Sequence, residues 1–304
     1  MDRIRIGTRG SPLALVQARE TRARLMDAHG LQEDQIEIIT FTTTGDQIRD
    51  RPLSEIGGKG LFTKELEEAL FAGAIDLAVH SLKDMPAKMP EGLDIAAVLP
   101  REDARDAFIS FAAPNLMALQ EGAILGSSSV RRTAQALRMR PDLKSAAFRG
   151  NVDTRLKKLQ DGVAHATFLA CAGLNRLGLA DKITCIMPMT EMLPAVAQGA
   201  IGIQINMRDE VTRKILVPLN HAHSSIAVTC ERAFMAALDG SCRTPIAGHA
   251  TIENSVLKFQ GEALTLDGKH VFTVSRHGAV ADAAAMGYDA GEEVKAKGGA
   301  LIAY

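Results

Sequence analysis

Alternation of polar and apolar residues begins at once. Arg3-Ile4-Arg5-Ile6 has the period of a strand, and Gly7-Thr8-Arg9-Gly10-Ser11-Pro12 turns it into a helix reaching about His29. Ser11 suits the N-cap and Pro12 the first helical position. The β-branched run 36–42 predicts a second strand, and a long polar loop, 43–60, follows it. A helix then opens at Phe62, with Leu66, Ala69 and Leu70 as its apolar side; on that pattern Phe62 itself belongs to the core. Leu77-Ala78-Val79 is a buried strand that delivers His80-Ser81-Leu82-Lys83-Asp84-Met85-Pro86 at its carboxyl end.

Further strands are predicted at 93–98 and 107–111, with the polar run 101–105 as a crossing point between two halves. Ile124-Leu125 ends a short strand, and Gly126-Ser127-Ser128-Ser129-Val130-Arg131-Arg132 opens a helix that stops near Arg140-Pro141. Ala146-Ala147-Phe148 is the next strand, and Gly150-Asn151 opens a helix with Leu156 and Leu159 on its apolar face. Strand 167–170, helix 173–177, strand 183–187 and a glycine-rich strand 199–205 complete the alternation. From His221 the style changes to a long helix (224–238), strands around Ala250, at 256–264 and at 271–275, and a last helix near 289–297. Grouped strands followed by a helix suggest a separate small α+β domain.

A chain of 304 residues, 46% hydrophobic and 23% charged, has room for two or three domains of a soluble globular protein. With no Trp and only two Tyr, recognition of single-stranded nucleic acid by stacking is disfavoured, and a net charge of −1 argues against general DNA or RNA binding. The N-terminus carries no apolar signal segment and no run reaches membrane-spanning length, so a cytoplasmic protein is expected. Cys171, Cys185, Cys230 and Cys242 are widely spaced, which favours free thiols over disulfides or a zinc site.

Charge is nonetheless concentrated. Between Gly126 and Arg155 stand seven Lys/Arg against two Asp/Glu, including Arg149-Gly150-Asn151-Val152-Asp153-Thr154-Arg155. Both ends of this stretch are strand-to-helix corners, where free backbone N–H groups and the helix dipole attract anions. Arginine forks beside them suit carboxylate or phosphate. The Arg9 corner repeats the pattern, so two similar α/β halves and a small ligand with several anionic groups are expected. Gly57-Gly58-Lys59-Gly60 lacks the spacing of a phosphate-binding loop. Asp84, beside Lys83 at a strand's carboxyl end, is either a group for chemistry or a solvated ion pair. His80, and His221 with His223 at a helix entry, read as structural, and no metal is expected. Cys171, Cys185 and Cys230 read as small buried hydrophobes, whereas Cys242 lies in a Gly-Ser-Cys-Arg-Thr-Pro loop beside a cation, which favours a reactive thiolate.

These motifs, together with Ala172-Gly173-Leu174-Asn175-Arg176-Leu177 and Leu193-Pro194-Ala195-Val196-Ala197-Gln198-Gly199, resemble the porphobilinogen deaminase (hydroxymethylbilane synthase) family. The resemblance runs in order along nearly the whole chain and thins after about Leu257; Glu55 stands where some members carry lysine. It implies two α/β domains built as in periplasmic binding proteins, 1–100 with 199–219 and 101–198, and a small C-terminal α+β domain, 220–304. It implies a dipyrromethane cofactor joined by a thioether to Cys242, on which four porphobilinogen molecules are condensed head to tail with loss of ammonia before hydrolytic release of hydroxymethylbilane. Each pyrrole carries an acetate and a propionate. By the same resemblance Lys83, Ser81, Ser128, Ser129, Arg131, Arg132, Gly150 and Arg155 hold the cofactor. Arg9, Ser11, Lys59, Phe62, Arg149, Arg176 and Gln198 hold substrate, and Asp84 is catalytic. It further implies a monomeric, cytoplasmic transferase of heme and tetrapyrrole biosynthesis with no nucleic-acid or membrane partner.

Two other classes compete. A non-enzymatic binding module for a small polycarboxylate explains the two halves and the arginine corners, but not Cys242 in an added domain. Phosphate-ester chemistry lacks both a phosphate loop and a clear metal cluster.

Overall fold

A computed structural model describes residues 3–47, 60–240 and 244–302. The chain opens with β1 (Ile4–Arg9), α1 (Pro12–His29), β2 (Ile36–Phe41), α2 (Thr44–Gln47), α3 (Lys64–Phe71), β3 (Leu77–Ser81) and β4 (Leu93–Val98). It continues with β5 (Asp106–Ser110), β6 (Ile124–Gly126), α4 (Val130–Met139), β7 (Lys144–Ala146), α5 (Val152–Gln160), β8 (Ala166–Ala170), α6 (Cys171–Arg176) and β9 (Cys185–Ile186). Then come β10 (Ile201–Asn206), α7 (Glu210–Leu216), α8 (Ala222–Ala237), β11 (Ile246–Glu253), β12 (Val256–Leu264), β13 (Val271–Ala279) and α9 (Ala283–Gly298). No helix of the described residues is long and apolar enough to cross a membrane.

Two five-stranded sheets share one topology, β2-β1-β3-β10-β4 and β7-β6-β8-β5-β9. In each, three parallel strands are followed by one antiparallel strand, β10 or β5. Both sheets carry apolar residues on two faces, as a sheet covered by helices on both sides requires. In the first, Ile6, Leu77 and Ile203 pack with Leu25 of α1, while Ala78 packs with Leu66 and Leu70 of α3. In the second, Phe108 and Phe168 meet edge to face within one cluster, while Ala107, Ile109 and Phe148 form the opposite one. The third sheet, β11-β12-β13, is antiparallel, and Phe234 of α8 lies against its Phe259 with ring centroids 5.0 Å apart. The architecture is the expected one, two similar α/β sheets and a smaller α+β portion.

By compactness the described chain falls into two units. One holds residues up to 47, 60–102 and 199–225; the other holds 103–198 together with 226–302, so the third sheet clusters with the second.

Local rules account for most element ends. Ser11 caps α1 by accepting from the Ala14 N–H, and Gly30 closes it in the left-handed conformation. Ser129 and Asn151 cap α4 and α5 in the same way. Several boundaries differ from the sequence reading; the strand read at 146–148 lies at Lys144–Ala146, and the one read at 271–275 continues to Ala279. α3 starts at Lys64, leaving Phe62 in the preceding turn; the predicted strand 183–187 shrinks to two residues; and α9 starts at Ala283 rather than near 289. Asp282 makes no side-chain cap there, and Gly287 and Gly291 resemble helix breakers. Those two glycines instead face the carbonyls of Cys230 and Phe234 in α8, where a Cβ would collide. Close helix contact explains them.

Candidate active site

In both α/β sheets the site residues gather at the carboxyl ends of parallel strands. In the first unit, Arg9 ends β1, Ser81 ends β3, and a tight turn, Leu82–Asp84, follows with Lys83 half-buried and Asp84 exposed. That turn is anchored by Leu82, fully buried across β10, where Gly202 leaves the space its side chain fills. Arg9, Ser11, Phe62, Ser81 and Asp84 line one recess together with Gln17 and His80. The Arg9 guanidinium lies 4.3 Å from the Phe62 ring centroid, and its Nη1 is 3.9 Å from Asp84 Oδ2. The sequence pattern that assigned Phe62 to the core is therefore corrected: the ring is half-buried beneath a cation. The buried amide of Gln17 donates to Ser81 Oγ at 2.8 Å, and buried His80 bonds Gln204 Oε1 at 3.0 Å, a structural role as expected.

The second unit repeats the anchoring device. Gly126, at the end of β6, leaves room for the buried Phe148 ring, which fixes the backbone on which Arg149 follows. Ser128 Oγ accepts from the Phe148 N–H at 3.1 Å, so the Gly126 and Arg149 corners are joined directly. Gly150 sits at φ 128, and Arg155 Nε donates to its carbonyl at 2.9 Å. Arg149 and Arg155 are half-buried along this edge. Arg176, half-buried, ends α6, a helix turn and a half beyond the β8 corner.

Arg131 and Arg132 differ from the open forks read in the sequence. Both are buried, and both pair with Asp106, the first residue of β5 and itself fully buried. Arg131 Nη1 lies 2.8 Å from Asp106 Oδ2; Arg132 Nε and Nη2 lie 3.0 and 2.6 Å from Oδ1. Gln198, read as a substrate contact, is also buried here and donates from Nε2 to Asp106 Oδ1 at 3.0 Å and to the Ala104 carbonyl at 2.7 Å. Burial alone would push the Asp106 carboxyl up, but the two guanidinium charges outweigh it and hold it well below the usual carboxylate range. Desolvation in turn lowers Arg131 from its ordinary value. Sequence reasoning missed Asp106 because a charged residue just before an apolar strand looks like loop.

The cysteines divide. Cys171 and Cys230 are buried, and burial pushes both thiols up to about 12. Cys185, expected to be buried, is half-exposed on the short edge strand β9. Cys242 and Lys59, like Glu55, lie outside the described residues. His221 Nδ1 bonds Ser224 Oγ at 2.8 Å at the entry of α8, an ordinary helix start.

Residues 4–214 match the family model "Porphobilinogen deaminase, dipyromethane cofactor binding domain", and residues 225–296 match "Porphobilinogen deaminase, C-terminal domain". A porphobilinogen deaminase of Paracoccus denitrificans (strain Pd 1222) is 56% identical over 294 residues, covering 97% of this chain and 94% of its own. One of Nitrobacter hamburgensis is 52% identical over 294 residues, covering 97% of this chain and 93% of its own. Among solved structures, the VFT2 domain of Bordetella pertussis BvgS (double mutant F375E/Q461E) aligns with 71% of this chain and 85% of its own, at 16% identity and a TM-score of 0.42. Matches of this extent and identity leave one assignment: the chain belongs to the porphobilinogen deaminase family.

Proposed function

We propose a division of labour for the reaction this enzyme catalyses, the stepwise condensation of porphobilinogen onto a dipyrromethane primer. Asp84 is the catalytic carboxylate; Arg9, Ser11 and Phe62 seat the incoming pyrrole; the arginine edge of the second sheet holds the primer and the growing chain. The observation that carries this reading is the recess in which Arg9, Phe62 and Asp84 meet.

Loss of ammonia from the aminomethyl group of porphobilinogen leaves positive charge on the pyrrole. A carboxylate fixed beside it stabilises that charge as it develops, the kind of preorganised electrostatics that usually contributes most to catalysis. Asp84 can also help move protons, giving one to the departing amine and taking one up when the coupled ring is deprotonated. Arg9 and the Ser11 hydroxyl supply donors for the acetate and propionate of the same ring, with Arg149, Arg176 and Lys59 as further substrate contacts; Gln198, its amide buried against Asp106, is withdrawn from that set.

The donor set of the second sheet suits the primer's carboxylates. Among the described residues Ser128 Oγ accepts from the Phe148 N–H, and its hydroxyl hydrogen can donate to the primer. Ser129, Arg149, Gly150 and Arg155 extend the same donor-rich edge, and Arg131 and Arg132 add their forks to it; Ser81 and Lys83 are further proposed donors to the primer. When bound, the cofactor supplies the nucleophilic pyrrole carbon at which the chain is extended. Its attachment to Cys242 is favoured over Cys171 and Cys230, which are buried and whose thiols burial pushes up to about 12. A cytoplasmic monomer that takes only small-molecule ligands, with no nucleic-acid or membrane partner, completes the proposal.

Intact mass of the purified chain tests the attachment. A dipyrrole adduct present in the wild type and absent in Cys242→Ser supports it; an adduct that survives this substitution sinks it, and an unmodified wild type favours a polycarboxylate receptor.

A further inference from the structure

We propose that Asp106 is a positioning residue of the arginine edge, setting how firmly the acidic pyrrole chain is held rather than how fast ammonia leaves. The inference rests on the reading of Arg131 and Arg132 as holders of that chain's carboxylates.

Topology places Asp106 where such a residue is needed. β5 runs antiparallel to β8, so its first residue lies at the carboxyl end of the parallel strands, opposite Ala170 and beside the mouth of α4. Consecutive residues on a helix diverge by roughly 100°, yet the Arg131 and Arg132 guanidiniums both return to this one carboxylate. Oδ2 takes Arg131 Nη1, while Oδ1 takes Arg132 through Nε and Nη2 and also Gln198 Nε2. Backbone carbonyls fix the outer sides: Arg132 Nη1 donates to Phe168 O at 2.9 Å, and Arg131 Nη1 to Leu193 O at 2.9 Å. Gln135 Oε1 takes Arg131 Nη1 at 3.0 Å, and Gln135 Nε2 reaches Glu262 in β12 at 2.6 Å. Orientation of the two forks is thus imposed from within the protein before any ligand arrives, which is the condition under which donors hold an anion without reorganising.

The carboxylate also cancels one of the two arginine charges. Charge and orientation therefore predict opposite outcomes for Asp106→Asn. If only local charge mattered, the variant would gain one unit of positive potential and hold a polyanion more tightly. If Asp106 orients the forks, it holds the chain more weakly.

The test measures KM and kcat for porphobilinogen, and primer occupancy by intact mass, in the holoenzyme. The variants are Asp106→Asn, Arg132→Gln and the double variant. The expected result for Asp106→Asn is a KM raised on the order of tenfold with kcat within about threefold, the signature of lost uniform binding. The double variant should fall short of the product of the two single effects, because the changes share the Asp106–Arg132 contact while Asp106 keeps a separate hold on Arg131. A lowered or unchanged KM in folded Asp106→Asn, or effects that simply multiply in the double variant, overturns the proposal. Should Asp106→Asn fail to fold, Asp106→Glu keeps the charge but displaces the carboxylate; a raised KM then supports the role and a wild-type KM overturns it. Normal KM and occupancy in Arg132→Gln would instead remove the underlying reading, and the proposal with it. Impaired Arg132→Gln beside normal Asp106→Asn removes the proposal alone.

Discussion

Arg9 reaches towards Asp84 without closing on it: Nη1 and Oδ2 stand 3.9 Å apart, with the guanidinium supported on the Phe62 ring at 4.3 Å. That separation is too long for a hydrogen bond. The Asp84 side chain is 41% exposed. Among the described residues the Asp84 carboxylate has no short contact to a cation, which leaves its lone pairs available to a ligand.

Asp84→Ala is expected to lower kcat by about 10²–10³, the usual cost of removing one preorganised electrostatic partner. Because the side chain is exposed, the urea midpoint should stay at its wild-type value. Single-turnover rates on primer-loaded protein make the measurement, and near-normal turnover would remove Asp84 from its role.

Phe62→Leu keeps an apolar side chain but removes the ring face. Cation–π contacts contribute roughly 0.5–2 kcal/mol, so KM should rise about 2- to 30-fold. Phe62→Tyr, which retains the face, should stay close to wild type. Equal KM values in the Leu and Tyr variants would show that the ring face does nothing for Arg9.

Asp106 carries a pH signature. Its folded pKa is depressed, so its stabilising contribution is present above the unfolded value of about 3.9 and is lost as pH falls through the folded value. Urea unfolding between pH 6 and pH 2 should therefore show a loss of stability on acidification that is smaller in Asp106→Asn. At neutral pH that variant should be destabilised by about 3–5 kcal/mol, since two buried guanidiniums lose their counter-charge. Parallel pH profiles for the two proteins would contradict the assignment.

Alkylation of the native protein at pH 8 should modify Cys185 and spare Cys171 and Cys230, whose thiols burial pushes up to about 12. Unfolding should expose both. Peptide mass mapping reads the result, and early modification of Cys171 or Cys230 would mean that the surrounding core opens readily.

Gly150→Ala forces an L side chain into φ 128 and sets its Cβ 2.6 Å from Thr154 Cβ. A cost of about 1–3 kcal/mol is expected for such backbone strain. Hydrogen exchange should localise it to the first turn of α5, and unchanged protection of that turn would argue that the corner adjusts freely.

How much of this was legible in the sequence depends on range. Ser11 announces its helix through a contact three residues long and is read as a cap from the chain alone; Ser129 and Asn151, at helix openings also legible in the chain, cap by equally short contacts. The two α/β halves follow from strand and helix alternation, and the arginine corners from local charge. What stays hidden is partnership across distance. Nothing near Asp106 indicates that it will meet arginines 25 and 26 positions later, or that Gln198 will close the same cluster from 92 positions away. The local pattern around Phe62 fails for a related reason: an aromatic before a helix resembles core until the cation that covers it, 53 positions earlier, is folded into place.

Helix α4 is held along its whole length. Asp106 grips its first turn, Glu262 of β12 its middle through Gln135 and its end through Arg138, and Arg140 ties its far cap to the Leu116 and Leu119 carbonyls. Such a helix behaves as a fixed rail, so the cationic capacity at its mouth stays constant while every ring joined to the product brings two more carboxylates. On the proposed reading, a fixed set of cations is shared among ever more carboxylates as the oligomer lengthens.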